Sequence, residues 1–316
     1  MDAVDRIGPA EVAELGERVS ANVALAVQAP ERAIRDLIVV LLAGGHVLIE
    51  DFPGVGKTAL ARAMAASIDA EVARVQCTAD MLPADLVGAN VFNQREGRFE
   101  FRPGPVFANV VLVDEINRAS AKTQSGLLEC MQERRVTVDG TTHLLARPFL
   151  VLATQNPVEF DGTYALPQAQ LDRFMMRLSL GYPEPAEEAA MLAAHARGDR
   201  VLELGAVCTL AEIVAAQEAL AGVHVGEALR AYVVALLAAT RRDPRADLGA
   251  SPRAGLMLLR GAIVEAALQG RDHVLPDDVQ ALAQRVLAHR LLLAPGVPES
   301  ARGEIVAAAL GRVPAL

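Results

Sequence analysis

The 316-residue sequence predicts an α/β fold with a parallel sheet, followed by a helical region. Short, wholly apolar segments alternate with stretches of helical periodicity, the pattern of strands that are buried on both faces of a parallel sheet. A glycine-rich loop follows the first of these strands, and a stretch rich in proline and glycine, GYPEP at 181–185, interrupts the alternation. Helical periodicity dominates beyond it, so we expect a domain boundary after residue 182.

The elements of the first region follow from apolar runs and the residues that end them. Residues 31–43 (ERAIRDLIVVLLA) predict a buried helix, which Gly44 and Gly45 end. The remaining predicted elements are a strand at 46–49, a helix at 58–68, strands at 72–76 and 109–115, a helix at 120–135, and strands at 149–155 and 173–180. Alternating strands and helices of this kind indicate a sheet with helices on both faces.

Two segments interrupt the alternation and are typical of hairpins. Residues 91–107 carry alternating aromatic side chains around Gly97. Residues 135–145 alternate around Asp139-Gly140, a dipeptide that favours a two-residue hairpin turn. We therefore expect two hairpins inserted into the α/β core.

Composition narrows the class of protein. The net charge of −9 disfavours a dedicated nucleic-acid-binding protein, which normally carries a basic surplus. Cys77, Cys130 and Cys208 lie far apart without C-x-x-C spacing, as expected in a reducing compartment. Neither a signal peptide nor a membrane span is predicted from the apolar runs. We expect a cytoplasmic protein.

The stretch EDFPGVGKTAL at 50–60 predicts a phosphate-binding loop between a strand and a helix. Backbone amides at a helix amino terminus point at an anion, glycines allow close approach, and Lys57 adds a mobile positive charge. The predicted binding segment is Pro53, Gly54, Val55, Gly56, Lys57, Thr58 and Ala59. Asp51 stands where the usual pattern has its first glycine. Since the amides that face phosphate follow it, we expect its carboxylate to point away, toward a neighbouring backbone donor.

Polar residues at the ends of two later strands complete a candidate hydrolytic site. Asp114 and Glu115 follow the apolar run VVLV, at the carboxyl end where ligands bind in open α/β sheets. With Thr58, Asp114 is expected to hold Mg²⁺, and Glu115 to polarise the attacking water. Asn156 ends the run FLVLATQ; on the residues alone it either positions that water or is an Asn-Pro turn residue.

Five ordered motifs resemble the MoxR family of AAA+ ATPases. They are EDFPGVGKT, VVLVDEINRA, VLATQNP, LPQAQLDRFMM and GASPRA, and the resemblance extends from about residue 30 to 295. In that family the loop often begins with an acidic residue, as it does here. The resemblance implies an AAA+ P-loop core in residues 1–182, with insertions at about 90–105 and 134–147. It also implies an all-helical lid domain in residues 183–316.

The resemblance also implies roles for three residues. Asn156 matches the sensor 1 residue, Arg173 the arginine finger that acts in trans on a neighbouring subunit, and Arg253 the sensor 2 arginine. Arg253 has some support from local sequence, because Ser251 is a good N-cap and Pro252 a good first helical residue. Arg253 would then oppose the helix dipole; on the residues alone it either binds an external anion or is an exposed arginine that costs a few tenths of a kcal/mol.

The function implied by the resemblance is ATP hydrolysis with Mg²⁺, at sites shared between subunits of a ring that we expect to be a hexamer. Hydrolysis would move the lid against the core and shift the hairpins. Members of the family typically remodel or activate partner proteins, often ones with a von Willebrand factor A domain. Two alternatives are a nucleic-acid motor or loader and a scaffold that binds nucleotide without hydrolysis; the acidic balance disfavours the first.

Overall fold

The structure is a computed structural model that describes residues 7–52, 54–156, 166–182 and 200–315. Its strands are β1 (Val47–Glu50), β2 (Val72–Gln76), β3 (Gly88–Asn93), β4 (Arg98–Pro103), β5 (Val110–Asp114), β6 (Arg135–Val138), β7 (Thr141–Leu144), β8 (Leu150–Gln155), β9 (Met176–Leu178), β10 (Ala246–Leu248) and β11 (Leu292–Leu293). Its α-helices are α1 (Pro9–Ala26), α2 (Glu31–Leu42), α3 (Lys57–Ser67), α4 (Pro83–Val87), α5 (Ala121–Glu133), α6 (Gln168–Leu171), α7 (Leu210–Ala219), α8 (Glu227–Arg241), α9 (Pro252–Ala267), α10 (Pro276–Leu287) and α11 (Ala301–Arg312).

A five-stranded parallel sheet with the order β2-β5-β8-β1-β9 forms the centre of the molecule. All five residues of β5 are buried, as the continuous apolar run predicts. The register places Val110 beside Val72 on one side and beside Leu150 on the other. Because the strands are parallel, all their carboxyl ends lie on one side of the sheet, which we call the carboxyl edge. Their amino ends lie on the opposite side, which we call the amino edge.

Each face of the sheet packs into its own apolar cluster. Successive strand residues alternate between the faces, so Val110 and Leu112 belong to one cluster and Val111 and Val113 to the other. The first cluster includes residues of α1, α2, α3 and the carboxy-terminal helices, and the second includes residues of α5. This layering confirms the predicted α/β class.

The last strand of the sheet is shorter than the predicted 173–180. The N–H of Arg173 donates to the Gln170 carbonyl at 3.1 Å, which places Arg173 in a turn that ends α6. The strand begins at Met176 instead. Met175 and Met176 are buried, as expected for core residues. The apolar pattern located this segment but did not separate the turn from the strand.

The two predicted insertions form hairpins. Strands β3 and β4 pair antiparallel, and Gly97 precedes the second strand with φ 63°. Strands β6 and β7 pair around Asp139 and Gly140, whose φ values of 48° and 81° fit the mirror-image turn that the dipeptide favours. The hairpins touch each other, since the Asn90 amide donates to the Asp139 carboxylate at 2.7 Å.

The carboxy-terminal region is helical apart from the short antiparallel pair of β10 and β11. Strands of two or three residues are too short to produce an alternation in sequence, so the all-helical expectation missed them. Helix α9 begins as predicted, with Ser251 accepting from the Ala254 N–H at 3.1 Å and Pro252 as first residue. Among the described helices none is long and apolar enough to cross a membrane.

The predicted division after residue 182 stays a prediction. Residues 183–199, which would carry the link, lie outside the described residues. On either side of them, the apolar cluster of the sheet's first face is continuous with the carboxy-terminal helices. The two regions therefore share one core where they meet.

Candidate nucleotide site

The loop between β1 and α3 has the geometry of a phosphate cradle. Gly54 and Gly56 both have φ 88°, a left-handed conformation that glycine adopts without strain. A Cβ built on either glycine meets no atom of the described residues within 4 Å, so this side of the loop leaves room for a ligand. Helix α3 begins at Lys57, so the unpaired amides of its first turn lie at the end of this loop and are available to an anion. Pro53 lies outside the described residues.

Two backbone carbonyls between β1 and the glycines hold the Lys57 ammonium. It donates to the carbonyls of Asp51 at 2.8 Å and Phe52 at 2.9 Å, which uses two of its three N–H donors and leaves the third for a phosphate oxygen. Burial lowers the pKa of Lys57, while the nearby charges of Asp51, Asp114 and Glu115 raise it. The lysine is therefore positioned before any phosphate arrives.

The Asp51 carboxylate points away from the cradle, as expected. It accepts hydrogen bonds from the Ser179 hydroxyl at 3.1 Å and from the backbone N–H groups of Leu180 and Gly181. Its side chain is buried, with 4% of the residue exposed. Asp51 therefore fixes the end of β1 to the segment that follows β9, and it is a structural anchor of the loop.

Asp114 and Glu115 end β5 at the carboxyl edge, and Thr154 of the adjacent strand orients both. The Thr154 hydroxyl donates to Asp114 Oδ1 at 3.2 Å and accepts from the Glu115 N–H at 3.0 Å. Glu115 itself adopts φ 56°, a strained conformation for a residue with a side chain. This backbone conformation directs the glutamate out of the strand. The contact with Thr154 could not be predicted, because it depends on the register of β5 and β8.

Further polar residues hold the two acids in this structure. Arg74 Nε donates to Asp114 at 2.8 Å, Gln76 Nε2 donates to Glu115 at 2.8 Å, and Arg118 Nε lies 2.9 Å from the same Glu115 oxygen. None of the three was predicted from the sequence. For Arg74 and Gln76, the one relevant feature of the sequence is the alternation of β2, which places both side chains on the same face of the sheet.

The residues present fit a magnesium ion bound together with a nucleotide. Thr58 is the second residue of α3, and Asp114 offers a carboxylate close enough to Lys57 to raise the pKa of the lysine. The described residues contain no cluster of three or more potential ligands from histidine, cysteine, aspartate and glutamate. Mg²⁺ usually binds through one or two protein groups plus substrate phosphates and water, so a small ligand set suits it.

Asn156 follows β8 directly, at the carboxyl edge. Only 9% of the residue is exposed. Strand β8 lies between β5 and β1, so the structure places Asn156 between the strand that leads to the loop and the strand that ends in the acids. This position suits a group that touches both the phosphates and a water molecule.

The structure brings Arg173 and Arg253 together at the opposite edge of the sheet. Both line a cavity of about 440 Å³, whose wall includes Gly44, Gly45 and His46, just before β1 begins. The loop residues 54–58 are not among those that line it. Both arginines were predicted as site residues, but their sharing of one cavity, remote from the loop of the same chain, was not.

A parallel sheet of this order, with a phosphate loop after its interior strand β1 and paired acids at the end of β5, defines a P-loop ATPase core of the AAA+ class. Residues 46–176 match the model of the ATPase family associated with various cellular activities (AAA), and residues 238–309 match the AAA lid domain.

Relatives narrow the class to one family. The chain is 40% identical to Chaperone MoxR1 of Mycobacterium tuberculosis, over 88% of this chain and 75% of the relative. It is 35% identical to Protein MoxR of Methylorubrum extorquens, over 92% and 90%. The crystal structure of a candidate ATPase from Cytophaga hutchinsonii matches with a TM-score of 0.90 and 36% identity, covering 98% of this chain and 97% of that one. The chain belongs to the MoxR family of AAA+ ATPases.

Proposed function

We propose that this protein hydrolyses ATP at sites shared between neighbouring subunits of a ring, which we expect to be a hexamer in the cytoplasm. One observation carries the proposal: the loop and the acids lie at the carboxyl edge, whereas Arg173 and Arg253 lie at the amino edge. A single chain therefore has both halves of a site at opposite edges of its sheet. Head-to-tail packing of two chains brings the halves together.

The loop residues bind the nucleotide. The amides of residues 54–59 and the free donor of Lys57 hold the β- and γ-phosphates. Thr58 and Asp114 would hold Mg²⁺, partly through water, and the ion would neutralise charge on the phosphate oxygens. Asp114 is kept in place by Thr154 and Arg74, at 3.2 and 2.8 Å.

Hydrolysis then needs a base and a cation. Glu115 accepts a proton from the attacking water, and Asn156 orients that water. Arg173 and Arg253 of the next subunit stabilise the negative charge that grows on the transferred phosphoryl group. Sites that lack a neighbour also lack these arginines, so we expect turnover to require assembly.

We propose that the ring is a chaperone-like remodeller and that its hairpins contact the partner, which we expect to be a von Willebrand factor A domain protein. The hairpins expose large apolar side chains: Phe92 is 51% exposed, Phe99 68% and Leu144 78%. Apolar surface of this kind suits a protein partner. The nucleic-acid alternative predicts hydrolysis that DNA stimulates and that weakens steeply with salt; addition of DNA to the assay distinguishes the two.

Mixing of two inactive variants tests the shared site. We expect Lys57→Ala to lose ATP binding and Arg173→Ala to bind ATP without hydrolysis. A Lys57→Ala subunit still supplies an arginine to the intact loop of an Arg173→Ala subunit. An equal mixture of the two should therefore recover up to about a quarter of the wild-type rate.

The matched control is a mixture of the Lys57→Ala and Glu115→Gln variants, because Lys57 and Glu115 both lie at the carboxyl edge. No interface in that mixture has an intact loop and intact acids, so turnover should stay absent. Native mass spectrometry verifies that mixed rings form. The shared site would be overturned if mixed rings of Lys57→Ala and Arg173→Ala recover no turnover. The nucleotide site itself would be overturned if Lys57→Ala and Glu115→Gln both bind and hydrolyse ATP like the wild type.

A further inference from the structure

The cavity at the amino edge contains more positive charge than the proposed mechanism uses. Besides Arg173 and Arg253 it is lined by Arg134 and Arg260, whereas Glu133 is the one acid among its described lining residues. Glu133 already pairs with the exposed Arg135 at 3.2 Å. This concentration of cations occurs in a chain whose net charge is −9. The cavity is therefore a local basic site on an acidic protein.

None of these four guanidinium groups pairs with a carboxylate of the described part of the chain. Arg173 Nε is buried and has no hydrogen-bond partner among the same residues. Arg134 Nη2 donates to the neutral carbonyl of Gly44 at 2.9 Å. Burial lowers the pKa of Arg134, and the charges of Arg147 and Arg260 lower it further. The described residues thus supply no counter-anion here, and several converging guanidinium groups suit an anion with several oxygens, such as a phosphoryl group.

Helix geometry explains how Arg260 joins the cavity. Arg253 and Arg260 are seven residues apart on α9, which is about two turns, so both project from one face. Leu256 and Met257 lie between them in the cavity wall. Arg253 stands in the first turn and Arg260 in the middle of the helix, so the two extend the basic lining along α9.

Arg134 links the cavity to the second hairpin. It ends α5 in a left-handed conformation with φ 52°, and β6 begins at the next residue. Its carbonyl accepts from the Leu145 N–H at 3.0 Å, at the point where the hairpin returns. The backbone of Arg134 thus forms the base of the hairpin, while its guanidinium reaches Gly44 in the cavity.

We propose that Arg134 and Arg260 bind the terminal phosphate of the neighbouring subunit's ATP together with Arg173 and Arg253, and that Arg134 transmits this binding to the hairpin formed by β6 and β7. This inference rests on the shared nucleotide site proposed above. A hydrogen bond from arginine to a phosphate is stronger than one to a neutral carbonyl. When the phosphate is present, Arg134 exchanges the Gly44 carbonyl for it and moves the base of the hairpin.

A dye on the hairpin tests the coupling. Thr141 is exposed at the start of β7, and the native cysteines are buried, with pKa values raised to about 12 for Cys77 and Cys130 and about 11 for Cys208. A Thr141→Cys variant can therefore be labelled selectively. In a Glu115→Gln background, which is expected to hold ATP, we expect ATP but not ADP to change the dye emission.

Addition of Arg134→Gln to this labelled protein should abolish the response even at ATP concentrations that saturate the loop, while ring assembly is retained. Arg135→Gln is the matched control, because Arg135 is the next residue, is exposed and pairs with Glu133; its response should stay intact. Arg260→Gln, on an exposed helix position, should reduce the response at least twofold. This variant decides the matter if circular dichroism shows that Arg134→Gln does not fold.

The outcomes separate this inference from the proposed function. If the Glu115→Gln protein binds no ATP, the shared site fails and the coupling fails with it. Coupling alone is overturned if ATP binds but the dye does not respond, or if Arg134→Gln responds like Arg135→Gln. A response to ADP also overturns it, because the terminal phosphate of ATP would then not be needed. So does a response to assembly without nucleotide, because an acidic side chain of the neighbour would then occupy the cavity.

Discussion

Asp172 accepts a hydrogen bond of 2.9 Å from Nε of Arg290, a guanidinium that is almost completely buried. The same carboxylate accepts from the Ser251 hydroxyl at 3.1 and 3.0 Å. Asp172 precedes Arg173, and Ser251 begins the helix that carries Arg253. The carboxylate therefore connects the two segments that carry the proposed trans arginines.

We expect Asp172→Asn to weaken this connection. The amide has one accepting oxygen where the carboxylate has two, and the buried charge of Arg290 loses its counter-ion. The free energy of unfolding should fall by about 2 kcal/mol. Turnover should fall with ATP binding retained. Urea unfolding followed by circular dichroism and an ATP-binding titration check both, and Asp272→Asn, a change to an exposed acid, should alter neither.

Thr154 supports the two acids, so Thr154→Val should lower turnover roughly tenfold, the lower end of what loss of such a supporting contact costs at a metal site. Valine keeps the shape of threonine but removes both the donor to Asp114 and the acceptor for the Glu115 N–H. Steady-state hydrolysis at several Mg²⁺ concentrations measures the effect. Thr154→Ser keeps the hydroxyl and should retain most of the activity; an unaffected valine variant would contradict the role.

Asp51→Gly should not tighten ATP binding, because the carboxylate faces the segment after β9 and not the phosphate cradle. Removal of the acceptor leaves the N–H groups of Leu180 and Gly181 without their partner. We expect stability to fall by about 2 kcal/mol. Glu50→Gln, one residue earlier, should have little effect, since Glu50 forms a partly exposed pair with Arg177. ATP affinity measured by titration decides: a sharp increase in Asp51→Gly would place the carboxylate at the phosphates.

We expect protonation of His46 to lower the stability of the folded protein in mild acid. Its Nδ1 accepts from the Val151 N–H at 3.0 Å and its Nε2 lies 3.0 Å from the Met131 carbonyl, so the ring is neutral. Burial lowers its pKa from 6.5 to about 4. The unfolded chain therefore binds the proton more readily, and the contribution of His46 is complete above pH 6.5 and is lost as the pH falls toward 4.

The measurement compares wild type with His46→Gln, whose amide can make both hydrogen bonds but does not titrate. Between pH 7 and pH 5 the wild type should lose about 2 kcal/mol more than the variant. The comparison is needed because burial raises the pKa of Asp36 to about 6, and that carboxyl favours the folded state as the pH falls through the same range. Equal pH dependence in the two proteins would show that His46 is not held neutral.

Local sequence predicts the elements of this fold well where one physical cause dominates. Buried parallel strands are continuous apolar runs, and so β8 and the strand that ends at Asp114 lie within a residue of their predicted bounds. The turn at Asp139-Gly140 and the cap at Ser251 follow from single residue preferences. Arg173 falls in a turn instead of the predicted strand, because apolar residues follow it without any breaker.

In the candidate site, too, local sequence predicts some residues and not others. Lys57, Asp114 and Glu115 belong to contiguous motifs and are recognisable in the amino-acid sequence alone. Thr154 and Arg74 act through contacts across strands, and these depend on register. The shared cavity of Arg173 and Arg253 depends on how α9 packs against the amino edge, which no local pattern encodes.

The placement of the phosphate loop and the arginine cavity at opposite ends of β1 gives each subunit a direction. Two chains related by a twofold axis would present like surfaces to each other and complete no site. An open row of subunits would leave one loop without arginines at one end and one cavity without nucleotide at the other. Only a closed ring has neither of these incomplete ends. Under the proposed function, a ring that opens therefore loses at least one working site.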